Sequence, residues 1–182
     1  MEIQLHVTYH AFGLIEDGVD WPIEVPFARN GLISPFLGGV LLHTGIHSGH
    51  VRVNAVSYSS VPPEINRSLD WETIAEVTTR IVFGRLRVRS YDEDPGLSAL
   101  SVAGPGLYRI RAYSIGRDVE VDGVNSTTES YRVEVWPTAE EDSIVYRTND
   151  DYGRQVLQFV IDDAGNEPSG KVVDGAALDE WV

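Results

Sequence analysis

The sequence predicts an all-β protein, a two-sheet antiparallel β-sandwich with a short C-terminal helix. Three observations carry that expectation. Apolar and polar residues alternate along several short runs, which is the period of a strand with one buried face. Gly, Pro, Asn and Asp clusters separate the runs, as turns require. The one stretch that could be read as a helix, Glu72 to Phe83, is rich in β-branched residues, which favour the pleated surface of a sheet. With 182 residues, 42% of them hydrophobic, the chain can bury a core without cross-links.

The elements follow in order. Ile3, Leu5, Val7 and Tyr9 fall on one face of a first strand, with Glu2, Gln4, His6 and Thr8 on the other. Phe12 to Ile15 is expected to continue it after a bend at Gly13, and Glu16-Asp17-Gly18 supplies a turn. Trp21-Pro22, Val25-Pro26 and Asn30-Gly31 break the next stretch into loop with short extended pieces. Val40 to His47 and Val51 to Ser59 read as a hairpin closed by His47-Ser48-Gly49-His50. Glu72 to Phe83 is a strand through Thr73, Ile74, Val77, Thr78, Thr79, Ile81 and Val82. Arg85 to Tyr91 alternates Leu86, Val88 and Ser90 with Arg85, Arg87 and Arg89. Leu97 to Val102 and Leu107 to Ile115 are further strands, and Tyr131, Val133 and Val135 mark one ending at Trp136-Pro137.

Past that proline the chain changes character. Ile144 to Tyr146 is a short apolar piece, and Asn149-Asp150-Asp151 resembles a helix start leading into Tyr152, Val156, Leu157, Phe159 and Val160. Residues 1–137 are expected to form the sandwich, and 138–182 an acidic segment whose helix packs on part of it. Leu178, Trp181 and Val182 offer apolar contacts for docking the tail. A closed barrel is the alternative architecture.

Composition restricts function. The absence of cysteine removes disulfides, thiolate metal sites and a Cys nucleophile together. The N-terminus has no basic region followed by an apolar run, and Gly38 to Leu42 is far too short to span a bilayer, so a cytoplasmic location with no membrane span is expected. The formal net charge is −14, and it is unevenly placed: residues 116–182 carry 16 acidic and 5 basic side chains, the first 115 carry 12 and 9. Such an acidic half repels nucleic acid phosphates. It would attract a basic protein partner and speed the encounter.

Signatures of catalysis are missing. No G-x-S-x-G elbow, phosphate-binding glycine loop or H-E-x-x-H appears. His43, His47 and His50 lie beside a turn, and His6 and His10 are also four apart; a zinc site would need a further ligand and an oriented outer shell. The acidic clusters sit in polar loop sequence, not in the apolar setting that raises a general acid's pKa. The arginine rows (Arg85, Arg87 and Arg89; Arg109 and Arg111; Arg132 beside Glu134) read as a solvated outer sheet face laddered with Glu129 and Glu134.

Four segments together resemble the competence protein J family, inhibitors of a DNA-entry nuclease in naturally competent bacteria. They are Leu5 to Phe12, Asn30 to Ser34, Gly106 to Arg109, and Glu129 to Tyr131, spread over about residues 3–136. The chain is also similar to uncharacterised actinobacterial proteins with a GPG-x-Y-R-x-R, GRD, W-P pattern, here Gly104 to Arg111, Gly116 to Asp118 and Trp136-Pro137. The single Lys171 against 13 Arg suits such a GC-rich coding bias. The resemblance implies a β-sandwich that neutralises a nuclease or another toxin by covering its active site. It transfers no inhibitory residue, and Tyr9, Phe12, Tyr108 and Tyr131 read as packing residues.

The expected function is therefore an acidic, immunity-type inhibitor and not an enzyme, needing no cofactor. Its expected contacts are Asp92, Glu93, Asp94, Asp118, Glu140, Glu141, Asp142, Asp150 and Asp151. A small-ligand domain with an apolar interior lined by Trp21, Phe36, Tyr58 and Trp71, and a metal-dependent hydrolase using the histidines, are the alternatives.

Overall fold

A computed structural model describes residues 2–23, 29–65, 70–125, 128–139, 142–164 and 171–172. Among these residues eleven strands and one helix are formed, in the order β1 (Glu2–Val7), β2 (Ala11–Glu16), β3 (Ile33–Phe36), β4 (Gly39–His43), β5 (Gly49–Ser57), β6 (Thr73–Ile81), β7 (Leu86–Arg89), β8 (Gly106–Ile115), β9 (Ser130–Pro137), β10 (Ile144–Thr148), α1 (Asp151–Ala164) and β11 (Lys171–Val172). They build two sheets, β1-β5-β9-β8-β6-β10-β11 and β3-β4-β2-β7. The inward rows of both pack together: Leu5, Val53, Val133, Ile110 and Val77 from the larger sheet, Phe12, Leu14, Leu42 and Val88 from the smaller. The space between the sheets is filled by side chains, which is the sandwich solution and not the closed barrel.

The expected alternation of burial is plain in β1, β5 and β7: in β5 the buried residues are Gly49, Val51, Val53 and Ala55, and in β7 they are Leu86 and Val88, whereas β2 and β4 are buried on both faces. Two pairings depart from a purely antiparallel sandwich, since β5–β9 and β10–β11 are parallel. The expected hairpin of residues 40–59 does not form. β4 pairs with β2 and β3, whereas β5 pairs with β1 and β9, so residues 44–48 are a crossover between sheets. Its Gly and Ser content is that of a hairpin turn, which is why the two read alike. β1 and β2 also lie in different sheets, and the chain turns at Tyr9-His10 and not at Gly13. Leu97 to Val102 forms no strand, although Leu100 is buried and donates its N–H to Leu86 O (2.7 Å).

The arginine ladder exists but is not solvated. Glu76, Arg111 and Glu134 are aligned across β6, β8 and β9, and with Arg109 all four are buried. Arg109 Nε donates to Glu76 (2.8 Å), Arg111 pairs with both Glu76 and Glu134, and Tyr113 Oη donates to Glu134 (2.9 Å). Arg111 also stacks over the Trp136 ring at 5.1 Å. Buried charges persist only where each has partners, and here the row supplies its own. Glu129 is not part of it. Arg85, Arg87 and Arg89 belong to the other sheet's edge.

Candidate functional site

One end of the sandwich gathers the features that the fold itself does not require. It is built by the β1–β2 turn, the crossover after β4, the loop 90–94, the loop 116–125 and the start of α1. Buried polar groups hold these segments in place. Glu129, fully buried, accepts the N–H groups of Gly45 (3.2 Å) and Ile46 (2.7 Å) and the hydroxyl of Tyr131 (2.5 Å), fixing the crossover. Burial pushes its carboxyl above the usual range, opposed by those same hydrogen bonds.

Arg117 is the second anchor. Its side chain is 0% exposed, as is that of Asp150, and the two pair at 2.5 Å. Arg117 also donates to Gly31 O (2.8 Å) and His43 O (3.3 Å), while Thr73 Oγ1 donates to Asp150 (2.5 Å). One guanidinium thus ties together the chain before β3, the end of β4 and the start of α1. Because Asp150 is committed to Arg117, the helix takes its cap from elsewhere. Asp118 accepts the N–H groups of Asp151 and Tyr152, both at 2.8 Å, satisfying two orphan donors and complementing the helix dipole. Next to this, His43 bonds to Ser34 Oγ (2.8 Å); burial, then Arg117 and His10, push its pKa down to about 4.

On this frame stands a chain of aromatic rings. Trp21 meets Tyr91 at 6.0 Å, Tyr91 meets Tyr9 at 5.5 Å, and Tyr9 meets His47 at 5.9 Å. The row continues through His10, 5.0 Å from His47, to Tyr152 at 6.2 Å. Tyr9 and Tyr91 are 65% and 56% exposed. His10 bonds Thr44 O through Nδ1 (3.2 Å) and meets Asp122 through Nε2 (3.1 Å). Among the described residues the non-glycine positions with left-handed backbone are Tyr9, His10 and Asp122, at φ 58°, 58° and 59°. All three lie in this one cluster. An L-residue there costs about 1–2 kcal/mol, and such outliers gather at functional sites. The neighbouring loop exposes Val119 and Val121, which alternate with Asp118, Glu120 and Asp122, and Val124 just beyond them.

The expected acidic contacts are distributed unevenly about this end. Asp92 is exposed and accepts from Thr8 Oγ1 (2.5 Å), Glu93 accepts the N–H of His6 (2.8 Å), and Asp94 closes its own turn by accepting from Gly96 N (2.9 Å). Asp118 and Asp151 are exposed at the helix start, the latter paired with Arg154. Asp150 is interior and presents no surface. Asp142 is exposed on the outer side of the larger sheet, where its carbonyl accepts from Arg109. Glu140 and Glu141 lie outside the described residues, as do Leu178, Trp181 and Val182.

Tyr9, His10, His47, Tyr91, Asp122 and Tyr152 were not among the expected contacts. Tyr9, read as packing because it continues the phase of Ile3, Leu5 and Val7, is exposed, whereas Phe12, Tyr108 and Tyr131 are buried. The phase breaks because the strand ends at Val7. The residues expected to line an apolar interior, Trp21, Phe36, Tyr58 and Trp71, are half-buried at the surface. Among the described residues no three His, Asp or Glu are placed to hold a metal ion, and no helix is long and apolar enough to cross a membrane.

No protein-family model matches the sequence, and no curated protein matches it significantly. Solved structures do match in fold. One is ComJ, inhibitor of the DNA degrading activity of NucA, from Bacillus subtilis, with TM-score 0.50 and 11% identity over 76% of this chain and 96% of that one. Another is the product of crocagin biosynthetic gene J, with TM-score 0.47 and 18% identity over 75% and 95% of the two chains. The resemblance to the competence protein J family is thus present in the fold, and at this identity it is a likeness of fold.

Proposed function

We propose that this chain is an inhibitor-type binding protein that docks a protein partner, a nuclease by analogy with its fold neighbour, through the Tyr9–His10 end. The observation that carries the reading is the convergence there of every left-handed non-glycine residue described, on an exposed aromatic row rimmed by Asp92, Asp118, Asp122 and Asp151. Exposed Tyr and Trp held in fixed positions are what interface centres are made of, since they bury much area for little lost freedom. The carboxylate rim suits a basic cleft, where it would occupy the places of nucleic acid phosphates. Fold likeness to an inhibitor supports the same direction. No catalytic role is assigned to any residue in this reading.

The test is inhibition of DNA degradation by a panel of nucleases, with the purified chain as titrant. The expected result is stoichiometric inhibition that weakens as salt rises, and a loss of about 30-fold in affinity for Tyr9→Ala, the effect of about 2 kcal/mol at an interface centre. Inhibition indifferent to salt would remove the phosphate-mimic part of the reading. Full activity of every nuclease in the presence of the protein, with no complex formed, would remove all of it.

A further inference from the structure

On the outer face of the larger sheet polar side chains converge a second time. Alternation turns Val51, Val53 and Ala55 of β5 and Tyr131, Val133 and Val135 of β9 into the core, so Arg52, Asn54, Ser130 and Arg132 point the other way. Register aligns them: Glu2, Asn54 and Arg132 form one row across β1, β5 and β9, and Arg52 stands opposite Ser130 in the next. Over β8 and β9 this face is covered, since Arg111 donates to Pro63 O (3.4 Å) and the Trp71 ring lies 5.6 Å from that of Tyr113. Over β1 and β5 the described residues leave it open, with Glu2, Gln4 and Arg52 exposed. The step between the two parts encloses a hollow of about 340 Å³, with Trp71 as its wall and the row as its floor.

The wall is fixed and the floor has bonding capacity to spare. Trp71 is held at two points, its carbonyl accepting from Arg147 Nη1 (2.8 Å) and its ring resting against Tyr113. Arg52 donates to neutral oxygens, Ser130 Oγ (3.0 Å) and Thr128 O (3.4 Å), and makes no ion pair among the described residues. Asn54 Oδ1 is buried without a hydrogen-bond partner, a costly state for an acceptor. The amide is half-buried beside the hollow, and rotation about its last bond turns that oxygen towards a donor placed there. Arg132 pairs with Glu134 (2.9 Å), a carboxylate that Arg111 also holds (3.1 Å). The row therefore reads carboxylate, amide, guanidinium, with a second guanidinium beside it. Asp70 and Glu72 flank Trp71 along the chain, the latter committed to Gly116 N (2.7 Å), so the neighbourhood as a whole is close to neutral. That balance disfavours a polyanion and suits a ligand carrying both signs itself.

We propose that the hollow binds a free aromatic α-amino acid. The ligand's carboxylate meets Arg52 and Arg132, its ammonium meets Glu2 and Asn54 Oδ1, and its ring lies against Trp71. Neighbouring strands are about 4.8 Å apart, so Asn54 and Arg132 can engage an ammonium and a carboxylate borne on one carbon. The volume stands at the low end of the range for small-molecule sites, about 300–1,000 Å³, which suits one amino acid better than a longer peptide. None of the aromatic row of the Tyr9–His10 end lines this hollow, and the site does not depend on what docks there.

Amide NMR spectra of the full chain, titrated with L-phenylalanine and with L-tryptophan, test this. The expected result is saturable shifts centred on Asn54, Trp71 and Arg132, half complete at about 1 mM or below. Hydrocinnamate, which lacks the ammonium, and phenylalaninamide, which lacks the carboxylate, should each bind at least about tenfold more weakly, as should L-alanine, which lacks the ring. Arg52→Gln should weaken L-phenylalanine about tenfold and leave phenylalaninamide unchanged, and Glu2→Gln should narrow the advantage of L-phenylalanine over hydrocinnamate. Both positions are exposed, so unchanged thermal melting is expected and confirms folding. Tyr9→Ala should bind the amino acids as the parent does, which separates this site from the partner end. An absence of saturable shifts up to about 10 mM of either amino acid overturns the proposal, as does hydrocinnamate binding as tightly as L-phenylalanine. Inorganic phosphate that binds more tightly than both amino acids, and is lost in Arg52→Gln, would overturn it in favour of a plain anion site.

Discussion

Replacing Arg117 by Met tests whether the Tyr9–His10 end is held as the structure shows. The substitution keeps most of the aliphatic bulk and removes the guanidinium, stranding the Asp150 carboxylate with Thr73 as its remaining partner and leaving the carbonyls of Gly31 and His43 without their donor. Both members of the pair are 0% exposed, so solvent screening offers no relief. Removing one partner of a buried ion pair costs about 3–5 kcal/mol, and the two carbonyl bonds add about 1 kcal/mol together when partly replaced by water. A loss of about 4–6 kcal/mol is a large share of the 5–15 kcal/mol typical of a domain. At about 2–4 °C per kcal/mol for a chain of this size, the melting temperature should fall by roughly 10–20 °C. Urea unfolding followed by fluorescence of the four tryptophans gives the number. The double variant Arg117→Met/Asp150→Leu, with no stranded charge, should recover at least half of the loss. A single variant within about 1 kcal/mol of the parent would refute the reasoning, because it would mean that water reaches Asp150 and that α1 is not anchored there.

The other predictions concern the same end. His43, held down to about 4 by burial and by Arg117 and His10, takes up its proton more readily when unfolded, where its pKa is about 6.5; stability should therefore fall as pH drops from 6.5 towards 4, by about 3 kcal/mol, and His43→Gln should flatten that part of the urea-derived curve. Gly153→Ala, normally helpful within a helix, should destabilise by about 1–3 kcal/mol, because the new Cβ meets Asp150 and lies 2.6 Å from Arg117 Nη2 in a pair that cannot yield. Tyr9→Gly relieves a left-handed residue, so its unfolding free energy should stay within about 1 kcal/mol of the parent while partner binding is lost; destabilisation beyond about 2 kcal/mol would make Tyr9 a structural residue.

Single strands were legible because their cause is local. Val51, Val53 and Ala55, or Leu86 and Val88, announce a buried face by alternation alone, and Thr78-Thr79 outweighed the helical look of Glu72 to Val77. Which sheet a strand joins is not local. Residues 44–48 carry the Gly and Ser of a hairpin turn, yet β4 and β5 part there, because Glu129, more than eighty residues away, holds the N–H groups of Gly45 and Ile46. Charge misled in a similar way. Arg109, Arg111 and Glu134 read as solvated, but with Glu76 they form a row that satisfies itself and can be covered. The acid rim was visible in composition, whereas the aromatic row is assembled from Tyr9, His47, Tyr91 and Tyr152, and none of these segments alone carries a signal.

The order of strands in the larger sheet bears on how the chain is made. β9 lies between β5 and β8, which precede it in sequence. Until residues 130–137 have left the ribosome, β5 and β8 each present an unpaired edge, and no earlier strand is available to close the gap. Open edges beside exposed Val, Ile and Tyr are templates for pairing between chains. Synthesis of this protein therefore passes through a window in which about two thirds of the chain is out and its sheet is still in two pieces. Premature termination anywhere before β9 should yield an aggregating product and not a smaller folded one.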